Sequence, residues 1–153
     1  MNRNVLVWSV VLGFSVWVPC ADAQTPPPPS TPRKIAWAET PKLAIREAKA
    51  AQRPILAFVT ADRCGFCRKM DRTTWNDVRI IQQVEKQLVP MKLHAVEHRA
   101  LVERLKVKAL PTTILFTPTG QVITGAVGFL PPEQMTKLMQ AARPVTTASR
   151  ERP

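Results

Sequence analysis

Two cysteines separated by two residues, Cys64 and Cys67, have the spacing in this sequence that is best suited to chemistry. Thiols at this spacing can close into a small disulfide ring or open to a dithiol, so the pair is a candidate redox couple. An apolar run at residues 55–59 precedes the pair, and a basic, helix-compatible segment at residues 68–72 follows it. This order predicts a strand, then the cysteines, then a helix that begins at Cys64.

The predicted helix gives the two thiols different roles. Exposed helical N–H groups and the positive end of the helix dipole favour a thiolate, so the pKa of the Cys64 thiol is expected to fall below its reference value of about 8.5. Cys64 is therefore the predicted nucleophile. Cys67 lies three residues further along nearly the same helical face, but turned toward the protein, and is the predicted resolving thiol.

Three other interpretations of the cysteine pair stay open. A structural zinc ion needs four ligands, and the sequence has no second CxxC and only His94 and His98 as further soft donors. A permanently closed disulfide is disfavoured because so short a loop removes little entropy from the unfolded chain. A metallochaperone would carry a soft ion such as Cu(I) on the two thiolates. No metal ligands are predicted, and the two histidines are expected to be solvated surface residues.

The N-terminal residues predict export. Arg3, an apolar run at residues 5–18 and the small-residue motif at 21–23 are typical of a signal peptide, residues 1–23, with cleavage before Gln24. The apolar run is shorter than the ~20 residues of a membrane-spanning helix. An uncleaved anchor and lipid attachment at Cys20 are the less favoured alternatives. The expected location is the periplasm or another exported compartment, with Cys64 and Cys67 as the remaining cysteines.

The rest of the sequence divides by composition. Residues 24–34 are rich in proline and predict an extended linker, residues 35–142 are long enough for one domain with one core, and residues 143–153 are expected to form a flexible tail. Lys and Arg number 22 against 11 Asp and Glu, a net charge of +11. In an exported protein this basicity favours acidic protein partners or contact with an anionic membrane surface, and no nucleic-acid-binding motif is present.

Within residues 35–142 the patterns predict a mixed α/β domain with helices on both faces of one sheet. The predicted elements are an edge strand at 35–37, a helix at 42–51 capped by Thr40, a strand at 55–60, the cysteine helix, a helix at 77–87 capped by Asn76, a strand at 89–93, a helix at 97–105, strands at 112–117 and 121–127, and a helix from Pro131 to about residue 142. Trp37 and Trp75 are expected to pack in the core.

The motif Cys64-Gly65-Phe66-Cys67 after a buried strand, with Leu110-Pro111 ahead of the next pair of strands, resembles the thioredoxin superfamily. Segments 54–64, 73–77 and 127–133 are similar to exported bacterial thioredoxin-like proteins, including the C-terminal domain of the transmembrane disulfide reductase of the Dsb system. The resemblance covers about residues 35–142. It implies a thioredoxin fold, with a central mixed β-sheet and helices on both faces.

The resemblance also implies a function and further site residues. In the family, the proline that matches Pro111 is cis and lies beside the cysteines, and the residue that matches Leu110 offers backbone hydrogen bonds to a bound peptide. Phe66 is expected to form an apolar lip for substrate. The implied activity is thiol–disulfide exchange with protein substrates by a monomer that needs no organic cofactor and relies on a redox partner protein. A peptide-binding module without catalysis is the alternative.

The sequence departs from the family pattern at two positions near the nucleophile. Thioredoxins usually carry a buried Asp six residues before it, which accepts the proton of the resolving cysteine, and this sequence has Phe58 there. Deprotonation of Cys67 would then need water or another base. Many relatives have Trp directly before the nucleophile, where this sequence has Arg63. A cation there is expected to favour the Cys64 thiolate, unless it is merely a solvated surface charge.

Overall fold

A mixed β-sheet runs through the part of the protein that the computed structural model describes, residues 34–142. The four strands described there are arranged in the order β2-β1-β3-β4, with β1 parallel to β2 and antiparallel to β3, and β4 antiparallel to β3. They are β1 Ile55–Thr60, β2 Val89–His94, β3 Thr112–Phe116 and β4 Val122–Val127. The predicted signal peptide, nearly all of the predicted linker and the predicted tail lie outside the described residues.

Helices cover both faces of this sheet, which confirms the predicted α/β class. The helices are α1 Pro41–Ala51, α2 Gly65–Arg72, α3 Val78–Gln87, α4 Arg99–Arg104 and α5 Pro132–Gln140, with a 3-10 turn at Thr74–Asn76. Helices α2, α3 and α5 pack on one face, and α1 and α4 pack on the other. Among residues 34–142, no helix combines the length and the hydropathy that a transmembrane span requires.

Strand β1 is buried along its whole length because it lies inside the sheet and contributes to both hydrophobic layers. Leu56 and Phe58 point into the layer that also contains Cys67. Ile55, Ala57 and Val59 point into the other layer. The continuous apolar run at residues 55–59 therefore reflects a strand covered on both sides, as predicted.

An aromatic cluster fills the core below α2. The ring centroid of Phe58 lies 5.1 Å from that of Trp75 and 6.0 Å from that of Trp37, and the two tryptophans meet edge to face at 5.3 Å. Phe58 is fully buried and Trp75 is nearly so. The prediction that Trp37 and Trp75 pack in the core is confirmed.

Two helix caps show how local sequence sets the helix boundaries. The Thr40 hydroxyl accepts the N–H of Leu43 at 3.2 Å, as predicted for α1. The predicted cap of α3 is wrong by one residue, because Asp77 caps this helix by accepting the N–H of Arg79 at 2.9 Å. Asn76 instead closes the 3-10 turn.

Two predicted elements are shorter in the structure than the sequence indicated. The expected edge strand at residues 35–37 is reduced to a single parallel bridge between Ala38 and Met91. Helix α4 begins at Arg99 and not at residue 97, because the chain first makes a turn in which the N–H of His98 donates to the carbonyl of His94 at 2.9 Å. These differences lie at the periphery of the sheet.

Candidate redox site

The two cysteines form a disulfide at the start of α2. Their sulfur atoms are 1.99 Å apart and their Cα atoms 5.2 Å apart. Cys64 occupies the N-cap position, and its sulfur accepts the backbone N–H of Cys67 at 3.1 Å. Cys64 is half-buried, whereas Cys67 is 1% exposed. Of the two, only Cys64 is therefore accessible to an external sulfur, either as the attacking atom or as the atom that is attacked.

The loop before Cys64 is held by one hydrogen bond within the loop and by contacts from two elements, α2 and β2. The N–H of Cys64 donates to the carbonyl of Ala61 at 3.2 Å. The guanidinium of Arg68, in α2, donates to the carbonyl of Asp62 at 2.7 Å, and the Asp62 carboxylate lies 3.1 Å from Nε2 of His94 at the end of β2. The position of the Cys64 sulfur is thus set by both the helix that follows and the strand beside it.

Leu110 and Pro111 lie at the same end of the sheet as the cysteines. Val59, five residues before Cys64, pairs with Thr112, the residue after Pro111. The Leu110–Pro111 peptide bond is cis, and the Pro111 carbonyl accepts the N–H of Gly128 at 2.7 Å. Leu110 is half-buried and packs against the hydrophobic cluster that contains Cys67.

The remaining predicted site residues differ in exposure. Phe66, between the cysteines, is 61% exposed, although it is a large apolar side chain. Arg63 is exposed as well. Lys69, which also belongs to α2, makes a cation–π contact with Phe129, with 4.3 Å between Nζ and the ring centroid.

A family comparison agrees with this arrangement. The Thioredoxin-like domain family matches residues 41–143, which is most of the chain. The chain belongs to the thioredoxin-like family. Together with the cysteine pair at the head of α2, this membership supports thiol–disulfide redox activity, the class of enzyme that the sequence predicts.

The curated relatives that resemble this thioredoxin-like protein in sequence include DsbD proteins of several bacteria. The thiol:disulfide interchange protein DsbD of Yersinia pestis (strain Pestoides F) is 28% identical over 114 residues, which cover 71% of this chain and 19% of the relative. DsbD of Ralstonia nicotianae is 32% identical over 90 residues, covering 56% of this chain and 15% of the relative. The chain thus spans about a fifth or less of these curated relatives.

Solved structures give the same fold. A thioredoxin from Thermus thermophilus superposes with a TM-score of 0.63 at 19% identity, covering 71% of this chain and 86% of the other. A structure described as DsbH Oxidoreductase superposes with a TM-score of 0.63 at 17% identity, covering 72% of this chain and 85% of the other. The predicted thioredoxin fold is confirmed.

A polar cavity of roughly 580 Å³ lies beside the buried cysteine of this thioredoxin-like protein. Cys67 lines it together with Asp71 and Lys92, whose side chains form an ion pair with 2.8 Å between Nζ and Oδ1. Nζ of Lys92 also lies 5.6 Å from the ring centroid of Phe58 and 5.7 Å from that of Trp37. Carboxylate and ammonium groups therefore border the space next to Cys67, although Phe58 occupies the position of the usual family acid.

Sequence reasoning missed both members of this ion pair. Asp71 lies one helical turn after Cys67, a spacing that places it on the same face of α2. Lys92 interrupts the apolar strand β2 directly opposite Phe58 in the sheet register. A charged residue at that point in a strand was the available signal, but its partner in α2 could not be identified without the fold.

The histidines also differ from the prediction. His94 is not a solvated residue, because its side chain is 19% exposed and Nε2 lies 3.1 Å from the Asp62 carboxylate. His98 is half-buried, and its Nδ1 lies 3.3 Å from the His94 carbonyl oxygen. Among residues 34–142, no three His, Cys, Asp or Glu side chains form a group suited to hold a metal ion.

Proposed function

We propose that this chain is an exported thiol–disulfide oxidoreductase that exchanges disulfides with protein substrates through Cys64 and Cys67. The observation that carries the proposal is the asymmetry of the pair: a half-buried cysteine at the N-cap of α2 is bonded to one that is 1% exposed. The family match and the similarity to DsbD support the same chemistry.

In the reducing direction, the Cys64 thiolate attacks one sulfur of a substrate disulfide. A bond forms between the two sulfurs while the substrate bond breaks, and the second substrate sulfur leaves as a thiolate that takes up a proton. Cys67 then loses its proton and attacks Cys64, which releases the first substrate sulfur. The protein ends as the disulfide and the substrate as two thiols, and oxidation of a substrate runs through the same steps in reverse.

The residues around Cys64 would bind the substrate and favour the Cys64 thiolate during these steps. Phe66 would contact apolar substrate side chains, and Leu110 with Pro111 would hold the substrate backbone next to Cys64. Arg63 would favour the Cys64 thiolate by its charge, an effect limited by solvent screening at its exposed position. Electrons would pass to or from a partner protein that itself undergoes thiol–disulfide exchange, so no organic cofactor is required.

Export is part of the proposal. The signal-peptide pattern at residues 1–23 and the similarity to DsbD, a thiol:disulfide interchange protein, support a periplasmic location. Mass spectrometry of the protein purified from a bacterial host tests this point. A mature N-terminus at Gln24 in the periplasmic fraction is expected, and an intact N-terminus in the cytoplasm would contradict it.

Turnover of a protein disulfide tests the chemistry. We expect the wild-type protein to catalyse the reduction of insulin by dithiothreitol, and Cys64→Ser to lose this activity completely. Cys67→Ala should instead retain Cys64 and accumulate mixed disulfides with its substrates, because the step that releases them is missing. A Cys64→Ser protein that reduces insulin as fast as wild type would exclude the proposed role, and so would a wild-type protein without turnover.

A further inference from the structure

A groove of roughly 600 Å³ runs along β4 on the side of the sheet that carries α4. Its floor consists of small and apolar residues of β3 and β4, among them Ile114, Gly125 and Val127. Val122 and Val127 are 63% and 68% exposed in this strand, which forms one edge of the described sheet. Apolar side chains on an uncovered edge strand are a common site for contact with another polypeptide.

One wall of this groove is strongly basic. It is formed by the end of α4 and the segment that follows, with Arg104, Lys106 and Lys108 at alternating positions. None of the residues that line the groove carries a carboxylate, and none of the ion pairs within residues 34–142 involves these three cations. We call this feature the basic groove.

The positive charge is not spread evenly around the redox end of the domain. The cavity beside Cys67 is bordered by four carboxylates, those of Glu39, Asp62, Asp71 and Glu97, against two cations, Arg68 and Lys92, so carboxylates are in excess there. All the charged side chains that line the basic groove are cations. A charged partner would therefore distinguish the two sides of the active-site end.

The basic groove also begins next to the proposed substrate site. Ala109 and Thr112 line it, and these residues flank Leu110 and Pro111 directly in the chain. From there β4 leads away over six residues, a length of about 17 Å for an extended strand. A polypeptide held at Leu110 and Pro111 would reach the basic groove with the next few residues of its chain.

We propose that the basic groove binds an acidic segment with apolar side chains that adjoins the reacting cysteine of a partner protein. This inference rests on the proposed function and adds the class of substrate or redox partner to it. The three cations attract the acidic side chains, and the floor along β4 receives the apolar ones. The redox step itself is unchanged, because Cys64 still exchanges with the sulfur of the partner.

Charge argues against two other occupants. A second copy of this chain carries the same net charge of +11, so two basic surfaces would meet. Residues 143–153 of the same chain contain three arginines and one glutamate, and are therefore basic as well. An acidic partner is the occupant whose charge is complementary to the wall of the groove.

The experiment compares three synthetic peptides that differ only in the charge flanking one cysteine. That cysteine carries a mixed disulfide with thionitrobenzoate, and about six residues on either side, matched to the length of the groove, alternate valine with aspartate, serine or lysine. The Cys64 thiolate attacks the cysteine sulfur and coloured thionitrobenzoate leaves, so its release gives the rate constant. At about 0.1 M ionic strength charges are screened beyond about 10 Å, which limits the effect of the overall charge.

We expect the reduced wild-type protein to react about tenfold faster with the aspartate peptide than with the lysine peptide, and with the serine peptide in between. The triple variant Arg104→Glu, Lys106→Glu and Lys108→Glu should abolish or invert this preference. A matched variant with three exposed cations of α1 replaced by Glu has the same net charge and should keep the preference within about twofold. Those three residues are Lys42, Arg46 and Lys49.

A single substitution tests the floor of the groove. Val122→Glu places a carboxylate there and should lower the preference for the aspartate peptide by about threefold. Val78→Glu is the matched control, because Val78 has a similar exposure of 59% and lies in α3, outside the groove. Both variants should unfold at the wild-type temperature, since both valines are exposed.

Several results would overturn the inference while the proposed function stands. The first is equal wild-type rates for the three peptides, and the second is an unchanged preference in the triple groove variant. The third is a loss of the preference for the aspartate peptide in the α1 variant as large as that in the groove variant. Loss of binding to phosphatidylglycerol vesicles by the groove variant, with no change in peptide preference, would assign the basic groove to lipid. Reaction with the small neutral 2-hydroxyethyl disulfide distinguishes failure of the groove proposal from failure of the proposed function. This disulfide does not need the groove, so the absence of a Cys64-dependent reaction with it would contradict the proposed function itself.

Discussion

Asp71 Oδ1 lies 2.8 Å from Lys92 Nζ, and both side chains line the cavity that Cys67 borders. This ion pair joins α2 to β2 directly beside the buried thiol. Phe58 occupies the position where relatives usually carry a buried acid, so we expect Asp71, which lines the same cavity as Cys67, to accept the proton of that thiol.

The first prediction concerns the step in which Cys67 resolves a mixed disulfide. Asp71→Asn removes the basic group but keeps the shape of the side chain, so we expect this step to slow at least about tenfold. Single-turnover kinetics of a preformed mixed disulfide measures it. The rate of alkylation of Cys64 is the control. It should differ less than about twofold between Asp71→Asn and wild type, because Asp71 acts on the other thiol, Cys67. An unchanged resolution rate would exclude Asp71 as the proton acceptor.

The second prediction concerns the aromatic residue at the usual acid position. Phe58 is fully buried and contacts Trp37 and Trp75, so restoring the family acid with Phe58→Asp would leave a cavity and a buried carboxylate. We expect a loss of about 3–5 kcal/mol in the free energy of unfolding. Urea denaturation measures it. Stability within about 1 kcal/mol of wild type would show that the aromatic cluster is not a main part of the core.

The third prediction concerns substrate contact by Phe66. This side chain is 61% exposed, so Phe66→Ser should change the free energy of unfolding by less than about 0.5 kcal/mol. We expect kcat/KM for a protein disulfide to fall about tenfold, equivalent to about 1.4 kcal/mol of lost apolar contact. Turnover of 2-hydroxyethyl disulfide should stay the same, since it is too small to need the contact. Val96→Ser, at a position 76% exposed, is the matched control. A parallel loss on both substrates would contradict the assigned contact.

The fourth prediction concerns pH and the cap of α3. The hydrogen bond from the Arg79 side chain is the largest of the effects that hold the pKa of Asp77 below its usual value, and backbone hydrogen bonds from Arg79 and Ile80 add to it. A lowered pKa stabilises the folded state above the unfolded pKa of about 3.9, and this contribution is lost as the pH falls through the folded pKa. Asp77→Ala should cost about 1 kcal/mol at neutral pH.

Comparison with Asp77→Asn isolates the effect of the charge. Asn can still cap the helix. The free energy of unfolding that Asp77→Asn loses relative to wild type therefore reports the charge of the carboxylate alone. We expect this deficit to be constant from pH 6 to 8 and to vanish in acid, as measured by denaturation at each pH. A deficit that grows as the pH falls would contradict the assigned role.

The features that sequence predicted best are those encoded by neighbouring residues. The two-residue spacing of Cys64 and Cys67 after an apolar run located both the strand and the helix start, and Thr40 before a proline located α1. Such signals depend on interactions within one turn of chain. The same local reasoning chose Asn76 over Asp77, because both side chains can cap a helix. Only the structure shows that Asn76 is the last residue of the 3-10 turn and that Asp77 caps α3.

Features that depend on distant residues were not predicted. The ion pair of Asp71 and Lys92 spans 21 positions, and the contact of His94 with Asp62 spans 32. The contact of His94 with Asp62 forms because β1 and β2 run parallel and bring their carboxyl ends to one edge. The pair of Asp71 and Lys92 forms because α2 packs on the sheet face to which Lys92 belongs. The basic groove was likewise hidden, since its cations and its apolar floor come from separate elements.

Alkylation of the reduced protein at about pH 6 tests the central claim most directly, because an ordinary thiol with a pKa near 8.5 is less than about 1% thiolate there. The cysteine modified by iodoacetamide is identified by peptide mass spectrometry. We predict that Cys64 reacts at least about tenfold faster than Cys67 and than either cysteine in the urea-unfolded chain. A Cys64 thiol that reacts no faster in the folded protein than in the unfolded chain would contradict the account.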